Sequence, residues 1–258
     1  MEEIKQIYNL PLIGDKAPEF SANTTMGRIN FPLDYKGKWV ILFSHPSDFT
    51  PVCTTEFMTF AKMFNDFKKI NTQLLGLSID STSAHIAWVR KIKELQWKDI
   101  KHPDIQFPII EDLTMNVAKK YGMIQPNASA THAVRAVFVI DPNATIRAII
   151  YYPASLGRNF DELHRIVIAL QTADSQKCAT PADWRSGDDV IIPAPATVDG
   201  ANERVKPQAG QYCLDWFLCF KKIGAKEQTK PNIVKQVQKK KSTAKKPTTK
   251  KAKPTTKK

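Results

Sequence analysis

Residues 39–70 read WVILFSHPSDFTPVCTTEFMTFAKMFNDFKKI, and a strand, a loop and a helix follow one another inside them. WVILFSH (39–45) is a near-continuous apolar run with β-branched residues, the pattern of a strand buried on both faces. From Cys53 onward, Phe57, Phe60, Ala61, Phe64 and Phe67 fall at the spacing of one apolar helix face. Between the two, Pro46 and Pro51 fix backbone angles in a polar loop. A cysteine therefore sits where a strand hands over to a helix. Free backbone N–H groups and the helix dipole favour an anion there, and the thiolate is the reactive form of cysteine. Thr50, three residues earlier, is close enough to offer a hydroxyl to the sulfur or to a bound oxygen. A blander reading makes Cys53 a small apolar filler and Thr50 the helix cap. The residues by themselves leave both readings open.

Working outward, QLLGLSI (73–79) reads as a second buried strand and TSAHIAWVRKIKELQW (82–97) as an amphipathic helix. FPII (107–110) is a short strand, and LTMNVAKKYGM (113–123) a helix ending near Gly122. VRAVFVID (134–141) and TIRAIIYY (145–152) flank PNA, a hairpin signal. NFDELHRIVIALQTAD (159–174) is a helix with Asn159 as its cap. This order predicts an α/β domain over residues 1–174, with a mixed central sheet flanked by helices. Residues 175–224 change character: Pro181, Pro193, Pro195 and Pro207, little periodicity, then the aromatic YCLDWFLCF (212–220). They predict an extended C-terminal arm whose apolar end buries against its own body or a partner subunit. Residues 225–258 are rich in Lys, Thr and Pro without an apolar face, and are expected to be disordered.

The formal charge of +13 belongs to that tail. Residues 221–258 hold fifteen lysines and one glutamate, so the preceding 220 residues carry a net charge near −1. Such a tail predicts weak, salt-sensitive nucleic-acid binding, with a nuclear or nucleic-acid-associated location as one outcome. No aromatic residue interleaves its lysines, which argues against base stacking. The N-terminus lacks the apolar stretch of a signal peptide, and no run is long enough for a transmembrane helix; the expected compartment is the cytoplasm. The four cysteines, Cys53, Cys178, Cys213 and Cys219, form no C-x-x-C. Cys213 and Cys219 have no histidine nearby, so neither a metal nor a cofactor is expected.

Pro46-Ser-Asp-Phe-Thr50-Pro-Val-Cys53 resembles the Pro-x-x-x-Thr-x-x-Cys active-site signature of peroxiredoxins. FSHPSDFTPVCTTEF (43–57), with a histidine before the proline, resembles the long-armed one-cysteine group. GDKAPEF (14–20) resembles the usual opening of the family, RAVFVIDP (135–142) its arginine-bearing strand, and LGRNFDELHRIVIALQ (156–171) its penultimate helix. KCATPADWRSGDDVIIPAP (177–195) resembles the arm. The resemblance spans about residues 10 to 222.

It implies a thioredoxin-like fold, dimers or rings of dimers, and a thiol-dependent peroxidase acting on hydrogen peroxide and alkyl hydroperoxides. It makes Cys53 the peroxidatic cysteine, oxidised to a sulfenic acid. Thr50 and Arg135 would bind peroxide and stabilise charge, Pro46 would shield the sulfur, and His45 would orient peroxide or a reductant. Glu56 and Arg158 would hold Arg135, with surface ion pairs as the bland alternative for both. Cys213 and Cys219 depart from the strict one-cysteine pattern. By resemblance to archaeal and bacterial members with arm cysteines, Cys219 or Cys213 of a partner subunit would resolve the sulfenate as a disulfide. The alternative is that both pack among Trp216, Phe217 and Phe220. A thiol reductant, thioredoxin-like, glutathione or other, would close the cycle, while Cys178 reads as structural. Some animal relatives carry a phospholipase Ser-His-Asp set; here the corresponding positions are Lys38, Pro32 and the vicinity of Asn143, so no such activity is expected. The competing function is a nucleic-acid-associated protein on a peroxiredoxin scaffold, acting through the tail.

Overall fold

The computed structural model describes residues 10–206 and 209–223. An N-terminal hairpin, β1 (Phe20–Thr24) and β2 (Gly27–Phe31), leads to β3 (Trp39–Ser44), α1 (Pro51–Lys69), β4 (Thr72–Ser78) and α2 (Thr82–Ile92). A small hairpin, β5 (Gln96–Trp97) and β6 (Ile100–Lys101), precedes β7 (Ile109–Glu111), α3 (Asn116–Lys120), β8 (Arg135–Ile140), β9 (Ile146–Tyr152) and α4 (Phe160–Gln176). The arm holds β10 (Val190–Ile192), α5 (Val198–Arg204), β11 (Gln211–Asp215) and β12 (Leu218–Lys221).

The main sheet runs β2-β1-β7-β4-β3-β8-β9. β3, β4 and β7 are parallel neighbours, while β8 and β9 join antiparallel. This is the expected mixed sheet. All six residues of β3 are buried, as a strand covered on both faces requires. Its side chains alternate between two cores. Ile41 and Phe43 pack with Phe57 and Phe60 of α1, Trp88 of α2 and Leu163 of α4. Val40 and Leu42 pack on the other side with Leu75, Leu77, Tyr121 and Phe138.

Several boundaries differ from the periodicity. The helix expected over 82–97 stops at Ile92, and Gln96–Trp97 pairs with Ile100–Lys101 across a turn in which Lys98 has φ +53°. Ile92, Leu95 and Trp97 all contribute to the α1-side core, so apolar spacing persists through the break and conceals it. The helix expected over 113–123 is confined to Asn116–Lys120. Met115, at φ +56°, blocks its extension, and the buried Asp112 carboxylate accepts from the N–H groups of Val117 and Ala118 in place of a regular cap. Burial pushes the Asp112 carboxyl up. Asn159 caps α4 as expected, its side chain accepting from Glu162 N.

The arm is more ordered than its composition suggests. β10, β12 and β11 form a three-stranded antiparallel sheet. Trp184, Val190 and Ile223 pack with Ala169 of α4 in a third cluster. Cys178 lies against this cluster, in keeping with a structural role, and burial raises its thiol pKa. The apolar tip keeps Leu214, Trp216 and Phe217 exposed. The lysine-rich stretch 225–258 lies outside the described residues.

Candidate active site

β3 delivers a rigid, buried end at Ser44, and the loop 45–50 carries the chain to the start of α1. Pro51 takes the first helical position, where its missing N–H costs nothing. Thr50 is the N-cap residue, with extended backbone, yet its side chain does not cap the helix. Its Oγ1 instead donates to Ser47 O at 2.8 Å. Cys53 falls on the first turn and is fully buried among the α1-side core.

Arg135 opens β8, beside β3 in the sheet. Its Nη1 donates to Cys53 Sγ at 3.2 Å and to Glu56 Oε2 at 2.8 Å. Its Nε and Nη2 both donate to Ala154 O, at 3.0 and 2.7 Å, which locks the plane of the guanidinium. Glu56 lies on α1 one turn beyond Cys53, and Arg158 holds its other side. Arg158 N and Nε donate to Oε1, and Nη2 to Oε2 at 2.6 Å. Arg158 Nη1 donates to Ser44 O, so the network is tied to the end of β3. The Arg158 guanidinium also lies over Phe43, 5.1 Å from the ring centroid.

Burial works to raise the Glu56 carboxyl, but Arg158, its hydrogen bonds and Arg135 together hold it below the usual carboxylate range. The cluster is therefore two guanidiniums around one carboxylate, all at most 6% exposed. One positive charge is left over beside Sγ, a place that favours an anionic partner. Buried charge needs such a partner. The surface ion pairs offered as the bland reading of Glu56 and Arg158 are excluded by their burial.

Residues 13–149 match the AhpC/TSA family, and residues 169–207 match the C-terminal domain of 1-Cys peroxiredoxin. A peroxiredoxin of Methanosarcina mazei is 62% identical over 215 residues, covering 83% of this chain and 98% of that one. The chain belongs to the peroxiredoxin family. A peroxiredoxin of Aquifex aeolicus is 52% identical, covering 84% of this chain and 100% of its own length. Among solved structures, a yeast mitochondrial 1-Cys peroxiredoxin matches with a TM-score of 0.72 at 40% identity, over 83% of this chain and 100% of that one. Peroxiredoxin 6 of Arenicola marina matches with a TM-score of 0.69 at 33% identity, over 82% of this chain and 97% of that one. The thioredoxin-like fold of the family and its thiol-dependent peroxidase activity are thus those of this chain.

Within this peroxiredoxin the sequence-derived candidates separate into two groups. Cys53, Arg135, Glu56 and Arg158 form one bonded cluster. Pro46 and Thr50 flank it in the loop, both half-buried. His45 is fully buried at the end of β3, its Nε2 2.9 Å from Asp48 Oδ1. Cys213 and Cys219 are elsewhere: they face each other across β11 and β12 and are joined as a disulfide. Pro32, Lys38 and Asn143 line one cavity of about 680 Å³.

Asp48, Asp80 and His85 were missed from the sequence. Asp48 lies inside the quoted signature at a position it leaves variable. His85 and Trp88 share the buried face of α2 with Ile92, and a histidine on an apolar stripe was the available signal. Among the described residues no helix is long and apolar enough to cross a membrane.

Proposed function

We propose that Cys53 is the peroxidatic cysteine, reducing hydrogen peroxide and alkyl hydroperoxides. The observation that carries this reading is the Arg135 guanidinium 3.2 Å from Sγ, in a buried cluster short of one negative charge. The thiolate attacks the terminal peroxide oxygen, the O–O bond breaks, and its electron pair leaves with the distal oxygen. That oxygen takes a proton and departs as water or alcohol, leaving the sulfur as a sulfenic acid. Arg135 opposes the negative charge that moves from sulfur to oxygen. The Thr50 hydroxyl spends its one hydrogen on Ser47 O, so its lone pairs are what it offers to the peroxide O–H. Pro46 shields the sulfur, and the buried ring of His45 orients the oxygen atoms. Glu56 and Arg158 hold Arg135 in place.

The arm pair supports a reading of the second half of the cycle. A reduced arm thiol of the partner subunit, Cys219 or Cys213, attacks the Cys53 sulfenic acid, releasing water and forming a mixed disulfide. The other arm thiol then attacks its neighbour, freeing the Cys53 thiol and leaving Cys213–Cys219 oxidised. An external thiol reductant, a thioredoxin-like dithiol or glutathione, returns the pair to two thiols. Their adjacency across one hairpin supports the second exchange.

The decisive experiment adds one equivalent of hydrogen peroxide to fully reduced protein, blocks thiols at once, and maps them by mass spectrometry. Oxidation at Cys53 followed by Cys213–Cys219 disulfide is the expected result. Free arm cysteines beside a persistent Cys53 sulfenic acid would replace the arm cycle with reduction by an external thiol alone. A reduced Cys53 in the presence of surviving peroxide would overturn the assignment. Deleting residues 225–258 is expected to leave this chemistry intact. Nucleic-acid association through that tail is a separate property, with no support from the relatives.

A further inference from the structure

One fully buried group of polar side chains is not accounted for by the charge cluster: His45, Asp48 and His85. Asp48 lies between the two imidazoles. Its Oδ1 is 2.9 Å from His45 Nε2 and its Oδ2 is 2.7 Å from His85 Nδ1. The second ring nitrogen of His85, Nε2, lies 3.1 Å from the carbonyl oxygen of Ile110. A carbonyl oxygen and a carboxylate only accept, so both nitrogens of His85 must carry hydrogen. A charged His85 is then neutralised by the Asp48 carboxylate, as two buried charges require.

The same count assigns His45. Burial holds its imidazole below the ordinary range, and it is neutral. Burial tends to raise the Asp48 carboxyl, but hydrogen bonds from the two histidines outweigh this and keep it low. With an ionised acceptor on Nε2, the single hydrogen of His45 belongs there. Nδ1 is left as a bare lone pair, and it is buried without a partner. An unmatched buried polar atom is ordinarily destabilising.

The sheet shows which side that ring lies on. Phe43 of β3 faces Val137 of β8, and both pack in the Cys53 core. Two residues further along, the same pleat brings His45 opposite Arg135 on that side. The ring stacks on Trp88 at 5.1 Å and meets the edge of Phe57 at 4.8 Å. Trp88 Nε1 in turn donates to Thr54 Oγ1, next to Cys53.

We propose that Asp48 and His85 are positioning residues for the peroxidase reaction: together they fix His45 as its Nε2–H form and reserve Nδ1 as a hydrogen-bond acceptor on the Cys53 side. This rests on the reading of Cys53 as the reacting thiol. Its partner would be the O–H of the peroxide or of the sulfenic acid. A second carboxylate, Asp80, has a different task. It accepts from Asp48 N and from Ser47 and Ser78 hydroxyls, fastening the backbone of the loop without touching either imidazole.

The test begins with ¹⁵N NMR of histidine-labelled protein, assigned with His45→Ala and His85→Ala. His45 is expected to carry hydrogen on Nε2 alone, and His85 on both nitrogens. Asp48→Asn, which presents an amide N–H₂ where one imidazole needs an acceptor, is expected to disturb the His45 signature and lower kcat/KM for peroxide at least tenfold. His85→Gln keeps an N–H donor for Asp48 and is expected to retain the His45 signature and most of the rate; His85→Ala is expected to lose both. Asp80→Asn should leave the signature intact. A hydrogen on His45 Nδ1 in the wild type, or wild-type kcat/KM in Asp48→Asn, would overturn the proposal. The wild-type spectrum is readable even if a variant fails to fold. Full peroxidase activity in Cys53→Ser would instead overturn the parent reading while leaving the histidine assignment standing.

Discussion

Replacing Glu56 with glutamine isolates the charge balance of the site. The carboxylate accepts at Oε1 from Arg158 N and Nε, and at Oε2 from Arg135 Nη1 and Arg158 Nη2. Glu56→Gln removes the negative charge with little change in shape, and leaves two buried guanidiniums facing an amide. Removing one member of a buried ion pair typically costs about 3–5 kcal/mol. For a folded body of this size that is a fall in Tm of roughly 10 °C. The pH dependence makes the test specific. Glu56 is lowered from its ordinary value of 4.5 in the folded protein, so its stabilisation is fully present above that value. It is lost as pH falls through the lower, folded-state value. The gap between wild type and Glu56→Gln, measured by denaturant unfolding, should therefore be constant from pH 7 to about 5 and narrow below 4.5. A variant within about 1 kcal/mol of wild type at pH 7, or a gap unchanged in acid, would refute the reasoning.

Arg135→Gln should slow the reaction with peroxide. A charge 3.2 Å from Sγ is worth about 5 kcal/mol at an effective dielectric constant of ~20, and the Glu56 carboxylate on the same nitrogen offsets part of it. A remaining effect of about 3 kcal/mol corresponds to roughly 100-fold in kcat/KM, read from stopped-flow kinetics; a loss under threefold would count against the charge role. Thr50→Ser should keep most activity and Thr50→Val lose at least about tenfold, since the hydroxyl ties the loop at Ser47 and supplies the lone pairs. Equal rates in the two variants would remove Thr50 from the mechanism. Asn159→Ala, which deletes the acceptor for Glu162 N, should cost about 1 kcal/mol in unfolding experiments without altering kcat/KM.

Much of this site was legible because its local parts are consecutive in sequence. The buried strand, two prolines, Thr50 and Cys53 all fall within residues 39–53, and apolar periodicity carried the reading on through α1. Arg135 and Arg158 are distant in the chain, and became candidates through resemblance rather than spacing. The break at Ile92 was hidden because Leu95 and Trp97 beyond it keep an apolar spacing and pack on the same core. The arm hairpin was hidden for another reason: four of its six large apolar side chains (Tyr212, Leu214, Trp216 and Phe217) stay exposed, so composition marked it as an extended arm in need of a partner.

The sequence by itself determined the order of the main strands and helices from β3 to α4, and the placement of a cysteine at a helix start. Both follow from hydrophobic period and local backbone chemistry, which act over a few residues. Tertiary structure decided the charge count around Sγ, because the β3–β8 pairing and the return of the chain through 154–158 bring both arginines onto one glutamate. It also decided that Asp48 of the loop meets His85 of α2 and that Cys213 meets Cys219 across the arm hairpin. Hydrogen bonds and sulfur–sulfur bonds form over a few ångströms of space, and no separation along the chain encodes that distance.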